Sequence, residues 1–288
     1  MARAGKRHRR LNRSTGGTVL LIVLTALFGV FMIVPIVYSI SMSLKPLNEL
    51  WTFPPKFFVE NPTLKNYTDL GRLMATSTVP FSRYVFNTVF ISVVGTIGNV
   101  LISSMCAYGI CKLKIKGSRT MFNMVVLALM FSGTVTAIPG FLVIRMLGWI
   151  DSLWAIIVPA FAAPLGLYLM KQFMEQMVPD VLLEAARIDG ASEYRIFFRI
   201  VMVIVRPAWL TLMIFSFQGL WSLNSSVYIY SDELKTFNYA LSQIMASGVS
   251  LQGAAAAASV VTLSVPVIVF IISQSNVVET MATSGMKE

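Results

Sequence analysis

Six long runs carry no charge at their centres, and no other feature so narrows what this chain can fold into. They span approximately Thr18–Leu44, Tyr84–Cys111, Met121–Ile144, Leu153–Met170, Pro207–Tyr230 and Ala254–Val278. A helix needs roughly 20 mostly apolar residues to cross a hydrocarbon core of about 30 Å. The fourth run is the shortest and holds Pro159 and Pro164, so its ends are the least defined. Prolines are tolerated in such helices where neighbours satisfy the freed carbonyls. Only 12% of the residues are charged and 56% are hydrophobic, whereas soluble chains are about 25% charged. The pattern predicts an all-α polytopic membrane protein with about six transmembrane helices. The first run follows a basic segment, as a secretory signal would, but a signal's apolar region is only about 7–15 residues long. It reads as a retained span.

Basic residues set the direction. With the amino terminus inside, the inner segments hold 16 Lys and Arg and the outer loops seven, namely Lys45, Lys56, Lys65, Arg72, Arg83, Arg145 and Lys235. Acidic residues divide seven to six and do not drive the bias. The excess predicts that both termini face the cytoplasm. The expected organisation is a basic tail over 1–17, a transmembrane domain over 18–278 and a carboxy-terminal tail over 279–288. An outer loop spans 45–83 and a long inner loop spans 171–206.

The net charge of +10 does not point to nucleic acid. Arg3, Lys6, Arg7, Arg9, Arg10 and Arg13 cluster before the first run with no aromatic residue among them, so no stacking surface for bases exists. Cytoplasmic retention of the tail explains the cluster. His8 is the single histidine, which leaves no His-dependent triad or multi-histidine metal site. Cys106 and Cys111 lie in an apolar run and read as small buried residues. No catalytic and no metal-binding residues are assigned.

The outer loop is rich in Pro, Asn and aromatics, including Trp51, Phe53, Phe57 and Phe58, and reads as a structured interfacial segment. The inner loop is 36 residues long with five basic and five acidic residues, far more than a mere connection requires. Within it runs Pro179-Asp180-Val181-Leu182-Leu183-Glu184-Ala185-Ala186-Arg187-Ile188-Asp189-Gly190-Ala191-Ser192. Asp180 after a proline predicts an N-cap and Val181–Ile188 a short helix. Gly190 is placed to stop it, because glycine enters positive φ without a Cβ clash. Ser192 is placed to cap a second helix running through Ile196-Phe197-Phe198 toward Pro207. Ala185 and Ala186 give a smooth patch that another protein can approach. Alternatively, the segment is an amphipathic linker on lipid headgroups.

Glu184-Ala185-Ala186 followed by Asp189-Gly190-Ala191, then Phe197, Ile200 and Pro207, resembles the EAA loop of permeases of binding-protein-dependent ABC importers. The family's usual Leu-Pro after the isoleucine is Met202-Val203 here, which puts the local helix start in question. Further stretches are similar to the carbohydrate, MalG-like branch. They include Ser43-Leu44-Lys45-Pro46, Pro62-Thr63-Leu64-Lys65-Asn66-Tyr67, Asn87-Thr88, Ile138-Pro139, Gln274 and Gly285-Met286-Lys287. The resemblance implies a permease in a bacterial or archaeal plasma membrane, in contact with lipid. It implies a second homologous permease, a cytoplasmic ABC ATPase dimer and an extracytoplasmic solute-binding protein as partners. Glu184, Ala185, Ala186, Asp189, Gly190 and Ala191 are then the ATPase-coupling residues. ATP and Mg belong to the ATPase, with no cofactor on this chain, which has no G-x-x-x-x-G-K-[ST] pattern.

For the solute, an oligosaccharide on that resemblance, Gln218, Ser222 and Asn224 with Trp221 are candidates. Amides and hydroxyls pair with sugar hydroxyls, and aromatic faces stack on sugar rings. Helix–helix hydrogen bonding is the competing reading. Asn99 belongs to a stripe with Gly95, Ser103 and Ala107 at four-residue spacing, which reads first as close helix packing. The spans hold no charge of the kind ion-coupled transporters use. Two alternatives stay open: an ABC permease for a peptide, amino acid or polyamine, and a polytopic membrane enzyme. The second would need convergent acid, base or nucleophile groups that the spans do not supply.

Overall fold

The computed structural model describes residues 15–75, 79–224, 227–246, 248 and 251–284. The basic tail up to Ser14 and the closing Gly285-Met286-Lys287 lie outside the described residues. Among the described residues there are helices, turns and loops but no strand.

Helix α1 (Thr15–Leu44) is apolar on every side and exposed along most of its length, as suits contact with lipid or another membrane chain. The short α2 (Leu47–Leu50) and α3 (Lys65–Ala75) fold back over its end. There the buried Asn66 side-chain amide donates to the carbonyls of Ser43 and Lys45 at 2.8 and 2.7 Å. Helix α4 (Phe81–Cys111) is the central element, with α7, α8 and α12 packed on it. Its 31 residues make a rod of about 46 Å, longer than a bilayer core. Gly95, Asn99, Ser103 and Ala107 are all on its buried face. A Cβ on Gly95 would lie 2.5 Å from Leu220, so the missing side chain is what admits α12. Cys111 is buried, but Cys106 lies exposed on the open face of α4, against the expectation that both are enclosed.

The third run is not one helix. It forms α5 (Ser118–Met130) and α6 (Gly133–Met146), bent by 113°. Phe131 and Ser132 are extended and interrupt the helical ladder, while Pro139 sits inside α6 without breaking it. The fourth run comprises α7 (Trp154–Phe161) and α8 (Pro164–Met177) and continues past Met170. Its charges do not end the helix, because Lys171 and Glu175 pair at 2.6 Å one turn apart.

Then follow α9 (Asp180–Ile188), α10 (Glu193–Ile196), a π-helical turn over Phe197–Val201, α11 (Met202–Ile204) and α12 (Arg206–Trp221). The chain bends by 80° between α11 and α12, and Pro207 lies in the first turn of α12. The residue preceding α9 is Pro179, not Asp180, whose carboxylate is instead engaged by Lys112 and Lys114. Ser192 does occupy the N-cap of α10, but its side chain makes no capping bond. Helix α12 stops at Trp221, nine residues before the fifth run ends. The side chains of Asn238 and Thr236 take the carbonyls of Ser222 and Leu223, which turns the chain out of the helix. Helix α13 (Phe237–Ala246) falls where the apolar pattern marks none, and α14 (Gln252–Ser284) closes the described chain.

Four helices, counting α7 and α8 together, are long and apolar enough to cross a membrane. Taking each bent pair as one crossing gives six, the number the apolar runs predict. The bundle has an EAA end, where α9 lies, and a far end, where α2, α3 and α13 lie. A core cluster including Met170, Met174, Leu183, Ile196, Phe197 and Val205 fills the EAA end. Two others, around Trp221, Phe237 and Leu241 and around Ile91, Ile157 and Ile229, fill the far end.

Candidate functional site

The local geometry of the EAA segment follows from its residue types. Gly190 has φ +77°, the left-handed conformation its position predicts. The Gly190 amide donates to Arg187 and the Ala191 amide to Ala186, both at 3.0 Å, which is the Schellman closure of a helix. Ala186 and Ala191, brought together by it, pack on the EAA-end core beside the fully buried Leu183. The other side of α9 is open. Val181, Ala185 and Ile188 form an exposed apolar strip with Glu184 next to it, and Ile188 is 86% exposed. A short helix is thus anchored by one face and leaves an apolar face without a partner among the described residues.

Two polar ties fix α9 onto α4. The Lys112 ammonium, buried at the C-cap of α4, donates to the Val178 carbonyl at 2.6 Å and to the Asp180 carboxylate at 2.7 Å. Lys114 reaches the second oxygen of Asp180 at 3.2 Å. At the other end of α9, Arg187 donates to Glu193 at 2.7 Å, and the Tyr108 hydroxyl of α4 donates to the same carboxylate at 2.5 Å. The Lys112 hydrogen bond, followed by that of Lys114, holds the Asp180 carboxyl below its ordinary value. Arg187, followed by Tyr108, does the same for Glu193. Both carboxylates are acceptors only, as these ties require.

The pathway candidates separate. Gln218 and Ser222 line an open cleft of about 750 Å³ between α1, α12, α13 and α14. Asn238, Ser259 and Thr262 join them, and the remaining lining is apolar. A few polar groups on an apolar wall, at this volume, are typical of small-molecule sites. Trp221 is buried behind the cleft: its indole N–H donates to the Thr262 carbonyl at 3.2 Å and its ring stacks on Phe217. Asn224 is exposed near Ser242 of α13. Asn99 is buried, donating to Ser216 of α12 at 3.1 Å and accepting from Ser103 at 2.9 Å. Sequence reasoning missed Tyr108, Lys112, Glu193, Asn238, Ser259 and Thr262. For Lys112 a signal existed, as the first charge after a long span; for Asn238 none did, because α13 is invisible in the apolar pattern. Among the described residues no group of three or more His, Cys, Asp or Glu side chains could hold a metal ion.

A bundle of membrane-length helices with an exposed helix–turn–helix at one end is the architecture of a multi-pass membrane protein. No family model matches the chain. It is 30% identical over 207 residues to the polygalacturonan/rhamnogalacturonan transport system permease protein of Bacillus subtilis, covering 72% of this chain and 70% of that one. It is also 30% identical over 205 residues to the arabinooligosaccharides transport system permease protein of Halalkalibacterium halodurans, covering 70% and 72%. The fold matches, with a TM-score of 0.77 at 22% identity, a crystal structure of a bacterial ABC transporter involved in the import of the acidic polysaccharide alginate. That match covers 92% of this chain and 99% of that one. The chain belongs to the permease subunits of carbohydrate ABC transporters.

Proposed function

We propose that this chain forms half of the translocation pathway of an oligosaccharide importer and is driven by a separate ATPase that docks on α9. The observation that carries the reading is the exposed strip Val181–Ala185–Ile188 on a helix whose other face and both ends are fixed. A fixed helix with an open apolar face suits a partner that must push on it without bending it. ATP and Mg are handled by that partner, a dimer in the cytoplasm, and a second permease supplies the other half of the pathway. A solute-binding protein delivers the sugar to the far end. Support for it comes from a structure neighbour, an alginate ABC transporter described in complex with an alginate pentasaccharide-bound periplasmic protein. The EAA end faces the cytoplasm, with both termini, in a bacterial or archaeal plasma membrane. The sugar reading rests on the relatives' names and on a cleft whose polar groups are amides and hydroxyls.

Ile188→Asp tests the dock. At 86% exposure Ile188 contributes little to this chain's own packing, so the variant should insert normally. It should fail to co-purify with the ATPase and lose uptake. Gly190→Val should do the same by forcing a β-branched residue into positive φ, and Glu184→Lys by reversing the charge beside the strip. Normal assembly and uptake in all three would overturn the dock. For the cargo, deleting the gene should abolish growth on one oligosaccharide and leave peptide uptake intact; loss of peptide uptake instead would move the chain to another solute class.

A further inference from the structure

We infer that α4 is a strut that makes α9 and the far-end segment 231–237 move as one body, with Lys112 and Asn87 as the positioning residues at its two ends. The inference rests on the reading of α9 as the ATPase dock.

At the EAA end, α4 holds α9 at both of its termini. Lys112 takes the first residue, Asp180, and the carbonyl of Val178 just before it. Tyr108, one turn earlier, holds Glu193, which in turn holds Arg187 in the last turn of α9. A displacement applied to the exposed strip is therefore delivered to α4 through directional bonds at two points.

The far end of α4 is tied in the same manner. The fully buried Asn87 amide donates to the carbonyls of Glu233 at 2.8 Å and Lys235 at 3.0 Å. The Thr88 hydroxyl oxygen accepts the Phe237 amide at 2.7 Å, and Arg83 donates to Glu233 at 3.4 Å. The segment 231–237 leads directly into α13, which walls the cleft that Gln218 and Ser222 line. Asp151 holds the segment's start from the other side, accepting the amides of Tyr230 and Ser231 at 2.9 and 2.8 Å.

Between these ends α4 is unbroken. It has no proline, and Gly95 and Gly98 present bare backbone to Leu220 and Phe161. Asn99 to Ser216 is a lateral hydrogen bond to α12 in its middle. A helix bonded at its ends and unbroken between them carries a displacement from one end to the other as a rigid body, small sliding of packed helices being the shear mode of domain motion. Coupling of this kind is reciprocal: whatever biases the far end must bias α9 equally.

The test uses the whole importer, with its second permease and ATPase, in proteoliposomes. Glu233→Cys carries an environment-sensitive fluorophore, and the complex is trapped with ATP and vanadate. Trapping should shift the fluorophore's emission when both ties are intact. Lys112→Met, which keeps the stem and removes the charge, should reduce that shift per nucleotide trapped. Adding Tyr108→Phe should abolish it, and Lys112→Arg, which still reaches Asp180, should restore it. Asn87→Leu should abolish the shift with trapping intact; if Asn87→Leu does not assemble, the Lys112 and Tyr108 variants decide alone. A full shift in Lys112→Met with Tyr108→Phe would overturn the strut. Gly190→Val separates the two readings. If it blocks trapping while the tie variants behave as wild type, the dock stands and the strut falls. If it too behaves as wild type, the dock falls and the strut with it.

Discussion

Asp151 is a non-glycine residue with φ +60°, a conformation that L-residues other than Gly, Asn and Asp seldom adopt. Its carboxylate is what holds it there, accepting the amides of Tyr230 and Ser231 and the Ser231 hydroxyl. The Ser231 hydroxyl bond, before the others, keeps the Asp151 carboxyl below its ordinary value. A depressed carboxyl contributes stability that is present above its unfolded value and is lost as pH falls through its folded value. The turn should therefore be constant from about pH 5 to pH 8 and loosen only in strong acid, below about pH 4. Each bond to an ionised group is worth on the order of 1–2 kcal/mol at so exposed a site. Asp151→Ala should accordingly speed hydrogen exchange of the Tyr230 and Ser231 amides by roughly tenfold or more, and Asp151→Asn by much less. Equal exchange in Asp151→Ala and wild type would show that the carboxylate is idle. Nothing in the sequence marks Asp151, because its partners lie 79 and 80 residues away. Gly190 is the opposite case. Its role follows from the left-handed stop of a short helix, a local event, and so it was legible in the segment itself.

Among the elements, α4 and α8 show what small residues do in a membrane bundle. A Cβ on Gly166 would lie 2.7 Å from the Ser103 hydroxyl, 2.8 Å from the Asn99 amide oxygen and 3.2 Å from Leu212. These neighbours come from α4 and α12 at once, so no single rotamer change relieves the crowding. Gly166→Val should cost about 1–3 kcal/mol by overpacking and lower the thermal midpoint of the purified chain in detergent. Gly71 in α3 is the control, since a Cβ there meets nothing within 4 Å. Gly71→Ala should raise the midpoint through a gain of about 0.5–1 kcal/mol in helix propensity. If Gly166→Val were as stable as wild type, the α4–α8 contact would not be the tight one described. The stripe Gly95-Asn99-Ser103-Ala107 was legible as a packing face because its period is helical. The breaks were not. The 113° bend at Phe131-Ser132 carries no proline, and the true proline of that run, Pro139, sits in an unbroken helix. Likewise α12 ends at Trp221 because Asn238 and Thr236 capture the following carbonyls. Apolar periodicity records length and burial, and neither of these stops changes either.

At the scale of the whole molecule, the alternation of the chain divides its surface into two ends. Phe53 and Glu233 belong to the far end, and Lys116 and Ile188 to the EAA end; all four are exposed. The six apolar runs were legible from their length, and they match the four long helices together with the two bent pairs when each pair is taken as one crossing. Which end faces the cytoplasm is carried by charge alone. Lys112, Lys114, Lys116, Arg119, Lys171, Arg187, Arg195, Arg199 and Arg206 all belong to the EAA end, and the amino-terminal tail adds six more basic residues in sequence. The far end has Lys45, Lys56, Lys65, Arg72, Arg83, Arg145 and Lys235, of which Lys45 and Lys235 are turned into the protein. Basic residues near span ends are retained on the cytoplasmic side, so the EAA end should be inside. With Cys106 and Cys111 replaced by serine, a membrane-impermeant maleimide applied to intact cells should label Phe53→Cys and Glu233→Cys. It should leave Lys116→Cys and Ile188→Cys unlabelled until the membrane is permeabilised. The Ile188 position bears most weight, because it lies on the strip where the ATPase is proposed to dock and ATP is available only inside. Labelling of Ile188→Cys in intact cells would place that strip outside, and the coupling role of α9 would fall with the orientation.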